Sequence, residues 1–449
     1  MLAVVFGGVM AAVIISLLGY FFLQYRLTLQ ESSRATALEI AEAGVNYYRW
    51  HLAHAPADFT DGTGGPGPYV HSYYDPEGGE IGKFSLEIEQ PFSGSTIVNI
   101  ISTAWTNRFP NAKRTIQARY GVPSVAQYSF LSDASSWYGS NITINGRIHS
   151  NNGIRMDGTN LSSVNSHKET YLCGSETGCN PAENMPGVWG AGGSQALWQF
   201  PVTKIDFDSI TADLASIRTA AIDNGTQFTD SGAFGYHLDF QADGTLDIFT
   251  VTSTGTRRGY NNGVCSNLNE RIFSQTLVGS YDLATNSVFF FEDNIWVEGT
   301  VNGKVTVVAS HYPFESGETT IWIRDDIVYD AKDGGSVLGL ISKDDIYYTL
   351  DLPNNFEINA AMIAQNGQVV RRHYNSSCAS YSNAVRDELS IYGSLMSREK
   401  SYWNWGSGPS SGFETRTVNY DSNLFFSPPP YFPTTGQYQF ISWQELPPT

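Results

Sequence analysis

The first 54 residues constrain the fold more than any other part of this sequence. An apolar run extends from Leu2 to Leu23 and contains no charged residue. Roughly 20 consecutive apolar residues are needed to cross the hydrocarbon core of a bilayer as a helix, and this run is long enough. The sequence therefore predicts a transmembrane helix over residues 1–23.

The helical pattern continues past the apolar run. Apolar residues recur there at spacings of three to four, which places them on one face of a helix: Leu27, Ala35, Leu38, Ala41, Val45, Tyr48 and Leu52. We expect one continuous helix of about 50 residues, roughly 75 Å long at 1.5 Å per residue. A cleaved signal peptide is the alternative, but its apolar core is usually shorter and follows a basic segment.

A small sheet is predicted next, and it would cover the outer half of this helix. Alternating segments lie at 84–90, 95–104 and 113–121, with short connections at 91–94 and 107–111. Short connections favour an antiparallel meander. Because an exposed apolar stripe would cost solubility, the stripe from Leu38 to Leu52 should be buried against the sheet. Residues 24–121 are therefore predicted to form the first folded domain.

Charge and composition limit the partners of the remaining chain. The sequence has 44 acidic and 26 basic residues, with a formal net charge of -18. Nucleic acid would not be attracted electrostatically to such a chain, so we expect no nucleic-acid partner. Plentiful glycine (43), tyrosine (25) and phenylalanine (25) are typical of a turn-rich, mainly β exported protein.

The N-terminal region resembles a known family. Its apolar span, the continuation ESSRATALEIAEAGVNYYRW at 31–50 with Ala41-Glu42-Ala43-Gly44, and the small sheet are similar to minor pilins and pilin-like assembly proteins of type IV pili and type II secretion systems. One feature departs from that family, because a leader ending in Gly and a Glu at the fifth mature position are absent and residue 5 is Val5. The resemblance implies contacts with the membrane and, through the helix, with other pilin-like subunits.

Residues 122–449 have the pattern of a mainly β head. The segments at 141–158 and between 287 and 397 are short strands, each too short to bury its own face, and stacking them would bury it. Candidate inward residues recur at intervals of 16, 18, 17 and 33 residues, the last of which we take as about two steps of the stack: Val307, Ile323, Ile341, Ile358 and Ile391. We predict a right-handed parallel β-helix, so the fold class is α+β; a β-sandwich is the alternative.

An insertion is predicted in this head at about residues 160–285. It contains the first two cysteines, a helix that Asp208 can cap and that Asn224-Gly225 ends, and a hairpin at 236–251 that turns at Asp243-Gly244. The stripe of that helix is Ile210, Leu214, Ile217 and Ala221.

The head also resembles a poorly characterised domain that follows pilin-type N-termini in bacterial surface proteins. The similar residues are 148–151 with Gly153, 299–303, 338–341, 360–365, 391–394 and 420–433. This resemblance implies a surface location and the architecture, and it implies no activity.

Four cysteines bear on the compartment: Cys173, Cys179, Cys265 and Cys378. An even number suits disulfides in an oxidising compartment. Cys173 and Cys179 bracket a turn and should pair with each other, whereas the spacing leaves the pairing of Cys265 with Cys378 open. Metal binding by His167 with Cys173 and Cys179 is the alternative, although this spacing matches no established zinc pattern.

Residues with catalytic or binding chemistry are few. Asp325, Asp326, Asp344 and Asp345 with Arg324 and Lys343 could serve a polysaccharide lyase or hydrolase if Asp326 and Asp345 stacked across neighbouring strands. Calcium is the one cofactor left open, at Asp58 and Asp61 with Gly62 and Gly64. His149 is a corner histidine. Tyr402, Trp403 and Trp405 are candidate contacts for a sugar or protein ligand, or they cap the end of the stack.

Together these patterns predict a non-enzymatic, single-pass membrane protein. It would be a minor or tip component of a type IV pilus-like filament, or an adhesin, with a large extracellular or periplasmic head. A surface glycan or protein is the expected ligand. A polysaccharide-binding or polysaccharide-degrading β-helix enzyme at the cell surface is the alternative.

Overall fold

The computed structural model describes residues 2–91, 95–210, 212–261, 263–315, 317–405 and 409–447. The chain forms two compact units. One contains the chain up to Val122 together with the segment from Gly436 onward, and the other is Pro123–Thr435. Each unit has its own hydrophobic core.

Three α-helices lie among these residues: α1 (Leu2–His54), α2 (Phe207–Ile210) and α3 (Leu214–Asp223). The strands before residue 200 are β1 (Tyr69–Tyr74), β2 (Glu80–Glu89), β3 (Ile97–Thr106), β4 (Arg114–Gly121), β5 (Phe130–Ser132), β6 (Ser136–Tyr138), β7 (Ile142–Asn145), β8 (Ile148–Ser150), β9 (Ile154–Met156), β10 (Thr159–Asn160), β11 (Val164–Ser166), β12 (Thr170–Cys173), β13 (Glu183–Pro186), β14 (Val188–Trp189) and β15 (Trp198–Gln199). The later strands are β16 (Gln227–Phe228), β17 (Tyr236–Phe240), β18 (Thr245–Asn261), β19 (Val264–Asp282), β20 (Val288–Phe291), β21 (Ile295–Val301), β22 (Lys304–Ala309), β23 (Thr320–Tyr329), β24 (Val337–Ser342), β25 (Asp345–Tyr348), β26 (Asn355–Ala364), β27 (Val369–Arg371), β28 (Val385–Ser397), β29 (Gly412–Asn419) and β30 (Gln439–Leu446).

The first unit is α1 packed on a five-stranded antiparallel sheet. The strand order is β1-β2-β3-β4-β30, and every neighbouring pair is antiparallel. The predicted continuous helix and the meander of β2, β3 and β4 are confirmed. Residues 92–94 of the predicted connection between β2 and β3 lie outside the described residues. The edge strand β30 comes from the end of the chain, within the residues that were predicted to form the head.

The predicted stripe of α1 is buried against this sheet. Ala41, Val45, Tyr48 and Leu52 are each at most 4% exposed, and Leu38 is partly buried beside them. Gly44 lets the helix come close to the sheet, because a Cβ there would lie 2.5 Å from Ser102 Oγ. The core of the first unit thus forms between one helix face and the inner face of β2, β3 and β4.

Most strands of the second unit join a 20-stranded sheet whose pairings are mainly parallel. One ladder of apolar residues crosses this sheet, each residue directly opposite the next: Phe289, Val307, Leu340, Met362, Leu395, Phe130, Ile148, Val164 and Trp198. All of them line or pack against one core. The sheets of a β-sandwich are antiparallel, so these parallel pairings are not those of the alternative architecture.

The predicted inward ladder is wrong in its register. Val307 lies opposite Leu340, whereas Ile341 packs in a different core. Ile358 does lie directly opposite Ile391, but these two residues are one step apart in the sheet and not two. The reason is that alternate strands pair, β22 with β24 and β24 with β26, so each step passes over an intervening strand.

Segments that are distant in sequence meet within the parallel sheet. We call residues 130–199 the early arm and residues 227–419 the late arm. Strand β28 of the late arm pairs with β5 of the early arm, and β29 pairs with β7. The early arm therefore extends the stack of parallel strands that the late arm forms.

The predicted insertion at 160–285 does not form one separate piece of structure. Strands β11, β15, β16 and β17 belong to the large sheet, while β12 and β13 form their own antiparallel pair. Two short helices replace the single predicted one. The cap of α3 is Asp213, whose carboxylate accepts a hydrogen bond from Ser216 N, and not Asp208. Leu214, Ile217 and Ala221 are buried as predicted, and the side chain of Ile210 lies outside the described set.

The predicted hairpin at 236–251 is confirmed, with Gly244 at a φ of +89° in its turn. Strand β18 then continues to Asn261 and pairs with β19, which forms a second hairpin that we call the long hairpin (residues 245–282). Its buried residues Val251 and Leu268 pack against an aromatic row on the parallel sheet, formed by Trp296, Trp322 and Tyr347.

Candidate functional site

The N-terminal half of α1 presents an apolar surface. Its large apolar side chains are exposed, from 80% for Val4 to 45% for Leu27. By length and composition, the helix Val4–His54 could cross a membrane. The same helix thus has an exposed apolar half and a half that is buried on the sheet of the first unit.

The three candidate ligand-contact aromatics have different surroundings. Trp403 is 4% exposed and packs in the main core, with its ring 5.8 Å from that of Phe130 and stacked 5.9 Å from that of Tyr348. Tyr402 and Trp405 are half-buried, with their rings 5.0 Å apart. The Trp405 ring stacks on His373 at 4.5 Å. Only Tyr402 and Trp405 therefore offer accessible surface to a ligand.

Both cysteine pairs form disulfides. Cys173 is bonded to Cys179 as predicted, which excludes the alternative of a metal site at these thiols. His167 Nδ1 instead donates to Val202 O at 2.9 Å. Cys265 is bonded to Cys378, which the spacing had left open. This second disulfide joins β19 of the long hairpin to the segment that follows β27.

The candidate calcium carboxylates are engaged with neighbouring side chains. Asp58 accepts hydrogen bonds from Thr60 and Gly62 N, and its Oδ2 lies 3.0 Å from His51 Nε2. The hydrogen bonds from Thr60, the largest cause, lower the pKa of Asp58 to about 2. Asp61 Oδ2 lies 2.7 Å from His71 Nε2. Both oxygens of Asp58 and Oδ2 of Asp61 are therefore engaged by protein groups, whereas Oδ1 of Asp61 is buried without a hydrogen-bond partner among the described residues.

The aspartates considered for polysaccharide cleavage are not brought together as expected. Asp345 lies opposite Thr320 in the parallel pairing, so it does not stack on Asp326. Asp326 Oδ1 accepts from Glu357 N at 2.8 Å, and Asp345 Oδ1 accepts from Gln368 N at 2.9 Å. Burial raises the pKa of both carboxyls. Each aspartate therefore satisfies a backbone donor of a neighbouring segment.

The flanking residues of these aspartates are also engaged. Asp344 Oδ2 accepts from Thr319 N, and Asp325 Oδ1 accepts from Asp326 N. Arg324 Nε lies 3.1 Å from Glu298, and Lys343 Nζ donates to Gly317 O. His149 is 3% exposed beside Asn151, and burial lowers its pKa.

A buried charged cluster under the long hairpin was not predicted. Glu270 of β19 is 2% exposed; its Oε1 accepts from Leu350 N at 3.0 Å and its Oε2 from Tyr374 OH at 2.9 Å. Burial raises the pKa of Glu270 to about 7. Arg371, also fully buried, donates to the carbonyl oxygens of Thr349, Leu350, Asn383 and Ala384. No sequence signal pairs these residues, because about 100 positions separate β19 from Arg371.

No protein-family model matches the chain, and no curated protein matches it. The crystal structure of the competence-associated pilin ComZ from Thermus thermophilus overlaps 92% of this chain and 97% of its own, at 12% sequence identity and a TM-score of 0.32. The overlap at this TM-score is too loose to support a conclusion about fold or function.

Proposed function

We propose that this protein is a non-enzymatic, pilin-like membrane protein whose head is displayed outside the cell. The observation that carries the proposal is the division of α1 into an exposed apolar half and a half packed on an antiparallel sheet. An exposed run of this length is stable in a bilayer or against other apolar helices. The two disulfides support an oxidising compartment.

Within this proposal, the first half of α1 anchors the chain and contacts other pilin-like subunits. The parallel stack of the second unit would be a right-handed β-helix, and it would form the head outside the membrane. The head would act as a minor or tip component or as an adhesin. Tyr402 and Trp405 are the accessible aromatics that would contact a glycan or a protein ligand.

Membrane fractionation tests the anchor. The full chain should stay in the membrane fraction after washing with high salt and alkaline carbonate. Ile14→Lys with Leu17→Lys places two charges in the apolar half, each at a cost of about 2.5–3.5 kcal/mol at the centre of a membrane helix. This variant should be released from the membrane.

Ser32→Lys with Ala35→Lys is the matched control, because it has the same spacing at exposed positions outside the apolar run. The control should remain in the membrane fraction. Recovery of the unmodified chain in the cytoplasmic fraction, with four free thiols, would refute the proposal. Presence of the protein in filaments sheared from intact cells would test the contact with pilin-like subunits.

A further inference from the structure

A small cavity lies where the early and late arms meet. Its volume is about 50 Å³. Residues of both arms line it, including Ser136 and Trp137 from the early arm and Leu395, Trp403 and Arg416 from the late arm. Trp137 is 40% exposed, so the lining reaches the surface at this ring. A water molecule needs roughly 10–15 Å³ by this kind of measure, so the cavity holds only a few non-hydrogen atoms.

Arg416 occupies a position that is apolar in the neighbouring strands. On β29 it lies directly opposite Leu389 of β28 and Ile142 of β7, both of which belong to the main core. It is 7% exposed. One of its terminal nitrogens donates to Asn141 Oδ1, but its Nε has no hydrogen-bond partner among the described residues. A buried donor without a partner is unfavourable.

Trp403 supplies a second such donor. It is 4% exposed, and its Nε1 also lacks a hydrogen-bond partner within the described part of the chain. The cavity thus has two buried residues in its wall with unused N–H groups. Both groups donate, so a partner for either of them must be an acceptor.

The guanidinium of Arg416 also has no carboxylate partner among the described residues. Burial lowers the pKa of Arg416 to about 10. None of the described residues that line the cavity is acidic. Arg371 shows the contrast. It is fully buried and its Nε also lacks a partner among the described residues, but Glu270 lies close by and its terminal nitrogens donate to four carbonyl oxygens. An unpaired buried charge is strongly unfavourable, and a bound anion would relieve it.

We propose that this cavity binds a carboxylate group, with the guanidinium of Arg416 and the indole N–H of Trp403 as its donors. A carboxylate has two acceptor oxygens and one negative charge, which match the fork of an arginine side chain. The small volume admits the carboxylate and little more. The ligand is therefore a small carboxylate anion, or the carboxylate at the end of a larger acidic molecule. This site is independent of the proposed pilin-like role.

Calorimetric titration of the full chain in detergent at pH 7.5 tests the site. Sodium acetate should bind, and sodium chloride at equal ionic strength should not. Binding of sodium glucuronate as well would show that the carboxylate of an acidic sugar can enter. Binding of acetate alone would restrict the ligand to small free anions. Lack of saturable binding by both carboxylates would overturn the proposal.

Two variants assign the binding to this cavity. Trp403→Phe keeps the aromatic ring in the core and removes only the N–H, and it should weaken acetate binding by about tenfold. Arg416→Met should abolish the binding, while thermal stability without acetate stays equal or rises, because an unpaired buried charge has been removed. Arg386→Met, a change of a half-buried arginine on β28 outside the cavity wall, is the control. Equal acetate affinity in all four proteins would refute the assignment.

Discussion

Two buried ionisable residues of the second unit, Arg416 and Glu270, differ in their surroundings. Arg416 has no acidic neighbour in the described cavity wall, whereas Glu270 lies near Arg371 and accepts hydrogen bonds from Leu350 N and Tyr374 OH. Burial is nevertheless the largest influence on Glu270, and it raises the pKa of this carboxyl to about 7. The folded protein therefore holds a proton on Glu270 at pH values where the unfolded chain has lost it.

The first prediction follows from this pKa. Because the folded pKa is higher than the unfolded value of about 4.5, Glu270 contributes stability that is fully present below pH 4.5 and is lost as the pH rises through 7. The loss for this one group should be about 3 kcal/mol, at 1.36 kcal/mol per pKa unit. Glu270→Gln should remove this part of the pH dependence and be more stable than the unmodified protein at pH 8.

Thermal unfolding of the second unit between pH 4.5 and 8 measures this difference. Glu414→Gln, at an exposed position of β29, is the control and should keep the pH dependence of the unmodified protein. An unchanged slope in Glu270→Gln would show that Glu270 stays ionised in the folded protein.

At the scale of elements, α1 and the hairpin of β17 with β18 were predictable because their signals are local. The periodicity from Leu27 to Leu52 determines one face of α1, and Asp243-Gly244 identifies the turn between β17 and β18. The register of the parallel sheet was not predictable in this way. A strand such as β22 pairs with β24 and not with its neighbour in sequence, so equal spacing of apolar residues does not determine which of them face each other.

For the candidate sites too, only features with a local sequence signal were predictable. The disulfide of Cys173 with Cys179 closes a short turn and was predicted from it. The cavity around Arg416 was not predicted, because it forms where β29 of the late arm pairs with β7 of the early arm. In the sequence, Arg416 is one arginine in an ordinary alternating segment. Only the pairing with Leu389 and Ile142 shows that its side chain replaces an apolar one.

The long hairpin gives a prediction at this scale. The disulfide of Cys265 with Cys378 has a sequence separation of 113, and that of Cys173 with Cys179 has a separation of 6. In the loop-entropy view, loss of the Cys265–Cys378 disulfide should destabilise this unit by about 5 kcal/mol. Loss of the Cys173–Cys179 disulfide should destabilise it by about 2 kcal/mol. Double serine variants of each pair, unfolded in urea, measure both values. A larger effect of the short-range pair would contradict this account.

At the scale of the molecule, the chain divides into two units with separate cores. The first unit includes β30, which follows the whole second unit in sequence and pairs with β4. This pairing was not predictable, since more than 300 residues separate the two strands and β30 is largely exposed. Because the core residues of α1 and β2 to β4 form their own cluster, the first unit should be sensitive to changes that leave the second intact.

The last prediction tests this independence. Val45 is 4% exposed in the core between α1 and the sheet. Val45→Asp would bury a carboxylate without a partner and should destabilise the first unit by several kcal/mol. Asn46→Asp places the same charge at the next, exposed position of the helix and should have little effect. Calorimetry of the full chain in detergent should show one transition shifted to lower temperature in Val45→Asp and a second transition unchanged. If both transitions shift together, the two units unfold as one cooperative structure, and the separate cores do not confer separate stabilities.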